Sequence, residues 1–201
     1  PDDLVMEMKL DSRSAVVATV SEPGPLVAAM AVHHISLGAS EVHLYLDKPA
    51  PLVRKLLADF PQVRIVSCND AYWRGKRPDL NTARQVVNAN NAYRRTAADW
   101  LLHCDADEFV SGTGSVAEAL AAVPEDMDCA RLPNCERVAL AGHTPEDVFE
   151  GPFRFAFPPG RAARLGPQIY GEMNRYLNYG LTGHRIGKMF TRTGRGHRIL
   201  I

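Results

Sequence analysis

Residues 103–110 read His-Cys-Asp-Ala-Asp-Glu-Phe-Val, and they hold the densest chemistry in the chain. The apolar run Trp100-Leu101-Leu102 leads directly into three carboxylates, Asp105, Asp107 and Glu108, followed by apolar Phe109 and Val110. Crowded carboxylates raise one another's pKa, so a cluster of them at the end of a buried strand calls for a cation. Hard oxygen ligands in a short turn suit Mg²⁺ or Mn²⁺, which bind through one or two carboxylates and complete their shell with substrate phosphates. Asp105 and Asp107 therefore read as a metal–diphosphate site. The plainer reading is a solvated turn whose acids cap the next helix.

A diphosphate also needs positive charge. The chain has no formal net charge, with 23 basic and 23 acidic residues, which argues against general nucleic-acid binding. The charge is unevenly spread, however. From Gly151 to Ile201 there are nine Arg and Lys residues and one acid, Glu172. Lys188 and Arg192 are four residues apart in that basic stretch, while Arg84 and Asn88 are spaced to share one face of a helix. Gly183 and Gly187 precede Lys188 and would allow a mobile loop that closes over a diphosphate.

The elements that must position these groups alternate. Strands are expected at 15–20, 41–46, 63–67, 100–104 and 130–133. The helices between them are expected at 23–37, 51–60, 82–98 and 115–122. The first run, Ala15-Val16-Val17-Ala18-Thr19-Val20, is short and β-branched, the pattern of a buried parallel strand. Alternation of this kind gives a parallel sheet with right-handed crossovers, whose ligands bind beyond the carboxyl ends of the strands. Those ends are Thr19–Glu22, Asp47, Cys68–Asp70 and Asp105–Glu108. No G-x-G-x-x-G follows the first strand, and neither a Walker A motif nor a G-x-S-x-G elbow is present. Past residue 134 the pattern breaks into Pro, Gly, Arg and aromatics, expected to form loops and short antiparallel strands. The four cysteines form no C-x-x-C pair, and no run of 18 apolar residues or secretory leader is present. A cytoplasmic, soluble protein with reduced thiols is expected. The closing Arg198-Ile199-Leu200-Ile201 reads as a strand cut short, as in a fragment or trimmed chain.

The segments VVATVSEPGPLVAAMAVHHISLGASEVHLYLD, NANNAYRRTAADWLLHCDADEFV and GHRIGKMFTR together resemble bacterial glycosyltransferases of family two that carry a DxDEF motif, and are similar to the eukaryotic family ninety-two enzymes. The resemblance covers about residues 13–195. It implies an α/β, GT-A-type, Rossmann-like three-layer sandwich with a mostly parallel central sheet and an irregular C-terminal part. One domain would span 1–201, with a nucleotide-binding half over 1–133 and an acceptor or lid half over 134–201. It further implies a nucleotide-diphosphate sugar donor, with a UDP-sugar favoured, a carbohydrate or other hydroxyl acceptor, a divalent metal (Mn²⁺ or Mg²⁺), and inversion at the anomeric carbon.

Carried over by residue, Asp107 would bind the metal, with Asp105 on the ribose or the metal's hydration shell. Thr19, Asp47 and Asp70 would meet the nucleoside. Arg84 would point at the nucleotide, and Lys188 and Arg192 would neutralise the departing diphosphate. A metal-binding His is implied near the end of the domain, with His184 and His197 as candidates. Glu136, Glu150 and Glu172 are candidates for the general base that inversion requires. Where the family has a Ser-x-Asp pattern after the second strand, this chain has Asp47-Lys48-Pro49-Ala50. Two other readings remain: a nucleotidyltransferase, though Ser21-Glu22-Pro23-Gly24 lacks the Gly-rich basic loop such enzymes carry, and a catalytically silent nucleotide-sugar-binding module.

Overall fold

Seven consecutive buried residues form strand β1 (Ser14–Val20). The computed structural model describes residues 12–140, 142, 144, 149–183 and 185–201. After β1 come α1 (Gly24–Ser36), β2 (Ala39–Leu46), α2 (Pro51–Leu56), β3 (Val63–Ser67), α3 (Asp70–Trp73), α4 (Asn81–Tyr93), β4 (Trp100–His103), α5 (Val116–Ala121) and β5 (Cys129–Leu132). The remainder holds β6 (Cys135–Arg137), β7 (Phe153–Phe155), α6 (Pro159–Tyr170), a 3₁₀ helix (Gly171–Tyr176) and β8 (Lys188–Arg192).

The central sheet has six strands in the order β3-β2-β1-β4-β8-β5. The pairs β1–β2, β1–β4 and β2–β3 are parallel, and β4–β8 is antiparallel. This is the α/β, mostly parallel sheet expected of a Rossmann-like GT-A-type fold. Alternation along β1 sends its two sets of side chains to opposite layers. Ala15 and Val17 pack with Tyr45, Leu101 and the α4 residues Ala89, Ala92 and Tyr93. Val16, on the opposite face, lies beside His34 and Leu37 at the end of α1.

Local signals set the ends of these helices. Gly38, at φ +92°, ends α1 in a left-handed turn, and its N–H donates to the Ile35 carbonyl at 2.9 Å. The Asn69 side chain caps α3 by accepting from the Tyr72 N–H, and Ser115 caps α5 by accepting from the Glu118 N–H. Among the described residues no helix is long and apolar enough to cross a membrane.

The chain divides into two compact units, 1–130 with 189–201, and 131–188. The second unit contains the antiparallel pair β6–β7, α6 and the 3₁₀ helix. The twelve-residue α6 stands where only loops and short strands are expected from the sequence. Helix α4 stops at Tyr93 rather than running to residue 98, because the Ala97 N–H is taken by the buried Glu41 carboxylate at 2.9 Å. Residues 198–201 form no strand. Instead the Asn90 carboxamide bonds both sides of Ile199, accepting from its N–H at 3.0 Å and donating to its carbonyl at 2.8 Å.

Candidate functional site at the carboxyl ends of the strands

Helix α4 is held by tertiary contacts more than by its own propensity, since three of its thirteen residues are Asn in the run 88–91. Those polar residues have a reason to be there. Arg84, Gln85 and Asn88 reach the carboxyl ends of all four parallel strands. The Asn88 side chain, with no exposure at all, donates to Thr19 Oγ1 at 2.9 Å, at the end of β1. Its carbonyl accepts from the Tyr72 hydroxyl at 2.7 Å and lies 3.9 Å from Cys68 Sγ, just after β3. Gln85 Nε2 donates to Asp105 Oδ1 at 2.7 Å, just after β4. Arg84 Nε sits 3.1 Å from Asp47 Oδ1, just after β2, as an ion pair without hydrogen-bond geometry. Burial pushes the Cys68 thiol up to about 11 and the Tyr72 hydroxyl up to about 12, so both stay protonated as donors.

The acidic turn is closed by its own backbone and by one of its acids. The Asp105 N–H donates to Glu108 Oε2 at 2.8 Å, and the Glu108 N–H donates back to the Asp105 carbonyl at 3.1 Å. Ala106 is fully buried and Asp107 exposed, so the turn anchors on the alanine and presents the second aspartate to solvent. The three acids thus divide the labour: Glu108 caps the turn, Asp105 is oriented by Gln85, and Asp107 is left outward.

A divalent cation is implied by the sequence resemblance, and the donor set here fits one whose shell is completed by substrate oxygens. Two neighbouring carboxylates, Asp105 and the exposed Asp107, would supply part of such a shell. Among the described residues no group of three His, Cys, Asp or Glu side chains gathers to supply the whole of one.

Two histidines on α1 brace the turn from behind. His33 Nε2 bonds the Val110 carbonyl at 2.7 Å, and its ring meets the Phe109 ring edge-on with centroids 5.2 Å apart. His34 Nδ1 bonds the Met30 carbonyl at 2.9 Å, while the Val110 N–H approaches its Nε2 at 3.5 Å. Accepting at Nε2 while donating at Nδ1 requires a neutral ring, and burial lowers the His34 pKa from 6.5 to about 4. The unfolded chain therefore takes up this proton first. His34 should cost no stability above pH 6.5, and about 3 kcal/mol should be lost as pH falls from 6.5 to 4. Urea midpoints across that range, compared with His34→Gln, measure the effect. Parallel acid loss in both proteins would remove His34 as its source.

No protein-family model matches the chain, and no curated protein matches it. Solved structures do. One is the mannosyltransferase PcManGT from Pyrobaculum calidifontis, in complex with GDP-Man and Mn²⁺, at TM-score 0.45 and 15% identity over 64% of this chain and 37% of that one. Another is HddC from Yersinia pseudotuberculosis, at TM-score 0.40 and 13% identity over 63% of this chain and 60% of that one. A third is 4-diphosphocytidyl-2C-methyl-D-erythritol synthase, at TM-score 0.36 and 15% identity over 72% of this chain and 71% of that one. This chain therefore spans under two thirds of the length of the first two. With identities of 13–15%, the chemistry of the site has to be argued from its own residues.

Of the residues singled out from the sequence, Thr19, Asp47, Arg84 and Asp105 converge on α4 as described. Asp47 is more committed than a free base-binding acid would be. Its side chain is 7% exposed, and Arg77 NH2 reaches both its oxygens at 3.0 Å. Asp70 is exposed at the first turn of α3. Lys188 opens β8, half-buried.

Arg192 is a correction. Lys188 and Arg192 open and close strand β8, where four residues span about 13 Å. Arg192 pairs with Trp100 at the start of β4, the end opposite Asp105. It stacks on the Trp100 ring at 4.2 Å and donates to the carbonyls of Val123, Pro124 and Met127. His197 is likewise engaged, with Nε2 2.7 Å from Asp128 Oδ2. His184 lies outside the described residues.

The loop before Lys188 is tied down at both glycines. The Gly183 N–H donates to Glu136 Oε1 at 2.7 Å, and Gly187, at φ +80°, packs against the Leu132 carbonyl where a Cβ would collide. Gly187 therefore serves close approach rather than motion. Glu136 also accepts from the Thr182 N–H at 2.8 Å and from Arg154 at 2.6 Å. These bonds outweigh burial and hold its carboxyl at about 2, far below a useful proton acceptor near neutrality. Glu172 is exposed on the 3₁₀ helix. Gln85 and Tyr72 were not singled out beforehand. The only signal for Gln85 is its place beside Arg84 on the face shared with Asn88.

Proposed function

We propose that this chain is a divalent-metal-dependent transferase that moves a sugar from a nucleotide-diphosphate donor to a hydroxyl acceptor, with inversion. The observation that carries the proposal is the pairing of Asp105, oriented by Gln85, with outward Asp107 at the carboxyl edge of a parallel sheet. In this reading the two aspartates hold Mn²⁺ or Mg²⁺, which neutralises charge growing on the departing diphosphate. Thr19, Asp47 and Asp70 line the nucleoside end, with Arg77 and Arg84 fixing the Asp47 carboxylate. Lys188 supplies positive charge to the diphosphate. The acceptor's proton goes to a carboxylate other than Glu136, and Glu172 and Glu150 are the two to substitute. A UDP-sugar is the donor to try first, with a GDP-sugar beside it.

Calorimetry with UDP and GDP should show binding in Mn²⁺ that disappears with chelator. Equal affinity in both conditions would rule out the metal role. Incubation with radiolabelled nucleotide sugars then separates the alternatives. Release of nucleoside diphosphate with label on an acceptor marks a glycosyltransferase. Formation of nucleotide sugar and pyrophosphate from a nucleoside triphosphate marks a nucleotidyltransferase. Binding without turnover under either condition marks a silent module. The helix α1 that begins at Gly24, directly after β1, weighs against the nucleotidyltransferase, which would carry a basic Gly-rich loop there.

A further inference from the structure

The second compact unit, 131–188, has a cavity of its own of about 250 Å³. Its lining includes Arg131, Asn134, Phe155, Phe157, Pro158 and Arg185. It lies just under the roughly 300–1,000 Å³ of drug-sized ligand sites, which fits a ligand about one ring in size.

Several of the lining residues are held by neighbours. Phe155 belongs to β7 and pairs with Cys135 of β6, yet leaves its side chain 66% exposed. The Phe157 N–H donates to the Tyr179 carbonyl at 2.8 Å, and its ring lies 6.0 Å from that of Tyr170. Gly180, at φ +86°, lets the chain pass under that ring, where a Cβ would come within 2.9 Å of it. Arg185 is stacked over the Tyr179 ring at 4.1 Å, which sets the plane of its guanidinium. Arg131 and Arg185 are 54 residues apart in sequence, and neither is paired with a carboxylate of any described residue. Elsewhere in the same unit an arginine that meets an acid pairs with it, as Arg154 does with Glu136.

We infer that this cavity binds an anionic sugar, one carrying a carboxylate or a phosphate. Two guanidiniums with no carboxylate partner among the described residues offer planar forks that match either anion through paired hydrogen bonds. The phenyl faces beside them carry negative quadrupole charge and attract the C–H face of a pyranose. A neutral sugar would offer neither guanidinium an anion, and a bare anion would leave the rings unused. The assignment goes beyond the transferase reading above and stands on the residues of this unit.

Binding to the full chain should be measured by calorimetry with four probes: methyl glucuronide, glucose 6-phosphate, methyl glucoside and inorganic phosphate. At least one anionic sugar should bind about tenfold or more tighter than both the neutral glucoside and phosphate, the scale of charge-assisted hydrogen bonds. Which anionic sugar binds more tightly identifies the anion. Arg131→Ala and Arg185→Ala should each remove most of that preference, and Arg185→Lys should restore only part of it. Circular dichroism checks that the variants fold. The inference is overturned if the glucoside binds as well as the anionic sugars, if phosphate alone matches them, or if the arginine variants bind them unchanged. UDP binding with Mn²⁺, measured on the same proteins, keeps the two readings apart. Its loss with sugar binding intact counts against the donor site alone, and the reverse counts against this cavity alone.

Discussion

Asp107→Asn is expected to abolish sugar transfer while leaving the fold intact. Asp107 is the exposed acid of a turn that is otherwise satisfied internally: Glu108 closes it and Ala106 anchors it. Removing one negative charge from three adjacent acids relieves repulsion, so the urea midpoint should hold or rise slightly. An amide keeps the shape but gives up the charge that holds a hard cation. Losing that electrostatic support should cost about 3–4 kcal/mol of transition-state stabilisation, roughly 10²–10³ in kcat. UDP affinity in Mn²⁺ should fall toward its value in chelator. Near-normal turnover at saturating Mn²⁺ would remove Asp107 from the mechanism.

The largest effect on stability is expected at Asn88. Its side chain is fully buried and bonded on both ends, to Thr19 and to Tyr72. Asn88→Leu keeps the volume and strands both partners. Leaving a buried polar group unsatisfied costs about 1–3 kcal/mol each, so a net loss of about 2–4 kcal/mol is expected after the gain from added apolar burial. Urea unfolding measures it. A loss below about 1 kcal/mol would mean that both hydroxyls find other partners, and that the network does not hold the strand ends.

How legible the molecule was depended on where each element finds its partners. The parallel strands could be read because burial on both faces forces uninterrupted apolar runs, as in β1 and β4. The end of α4 could not, because the Glu41 carboxylate that takes the Ala97 N–H is 56 residues away. Helix α6 was hidden by Gly160, Gly166 and Pro167, three residues that argue against a helix interior. Gly166 is there because Asn174 packs where its Cβ would stand. The start signal, Pro159 in the first turn, was present and went unused.

At the site, the acidic turn was plain from residue types alone. The division of roles within it was not, because Gln85 becomes informative only once α4 lies over the sheet. Arg192 shows the opposite failure: it was read beside Lys188 as a charge for the diphosphate, and β8 carries it to the end of β4 opposite Asp105. Ile199 was read as part of a strand from its apolar neighbours, while its actual partner, the carboxamide of Asn90, lies 109 residues earlier.

The clasp that α4 makes on the strand ends also bears on when the protein becomes competent. The Asn88–Thr19 bond joins residues 69 apart, the Arg84–Asp47 ion pair joins residues 37 apart (84 minus 47), and Gln85–Asp105 joins residues 20 apart. Each contact must wait for the loop between its partners to close, and distant closures come slowly. A chain that has formed its hydrophobic sheet but not yet seated α4 would hold the acids without the side chains that aim them. On the proposed reading, nucleotide affinity would gauge completed folding. A ligand that needs the finished site should slow unfolding of the native protein and leave the early steps of refolding at their own pace.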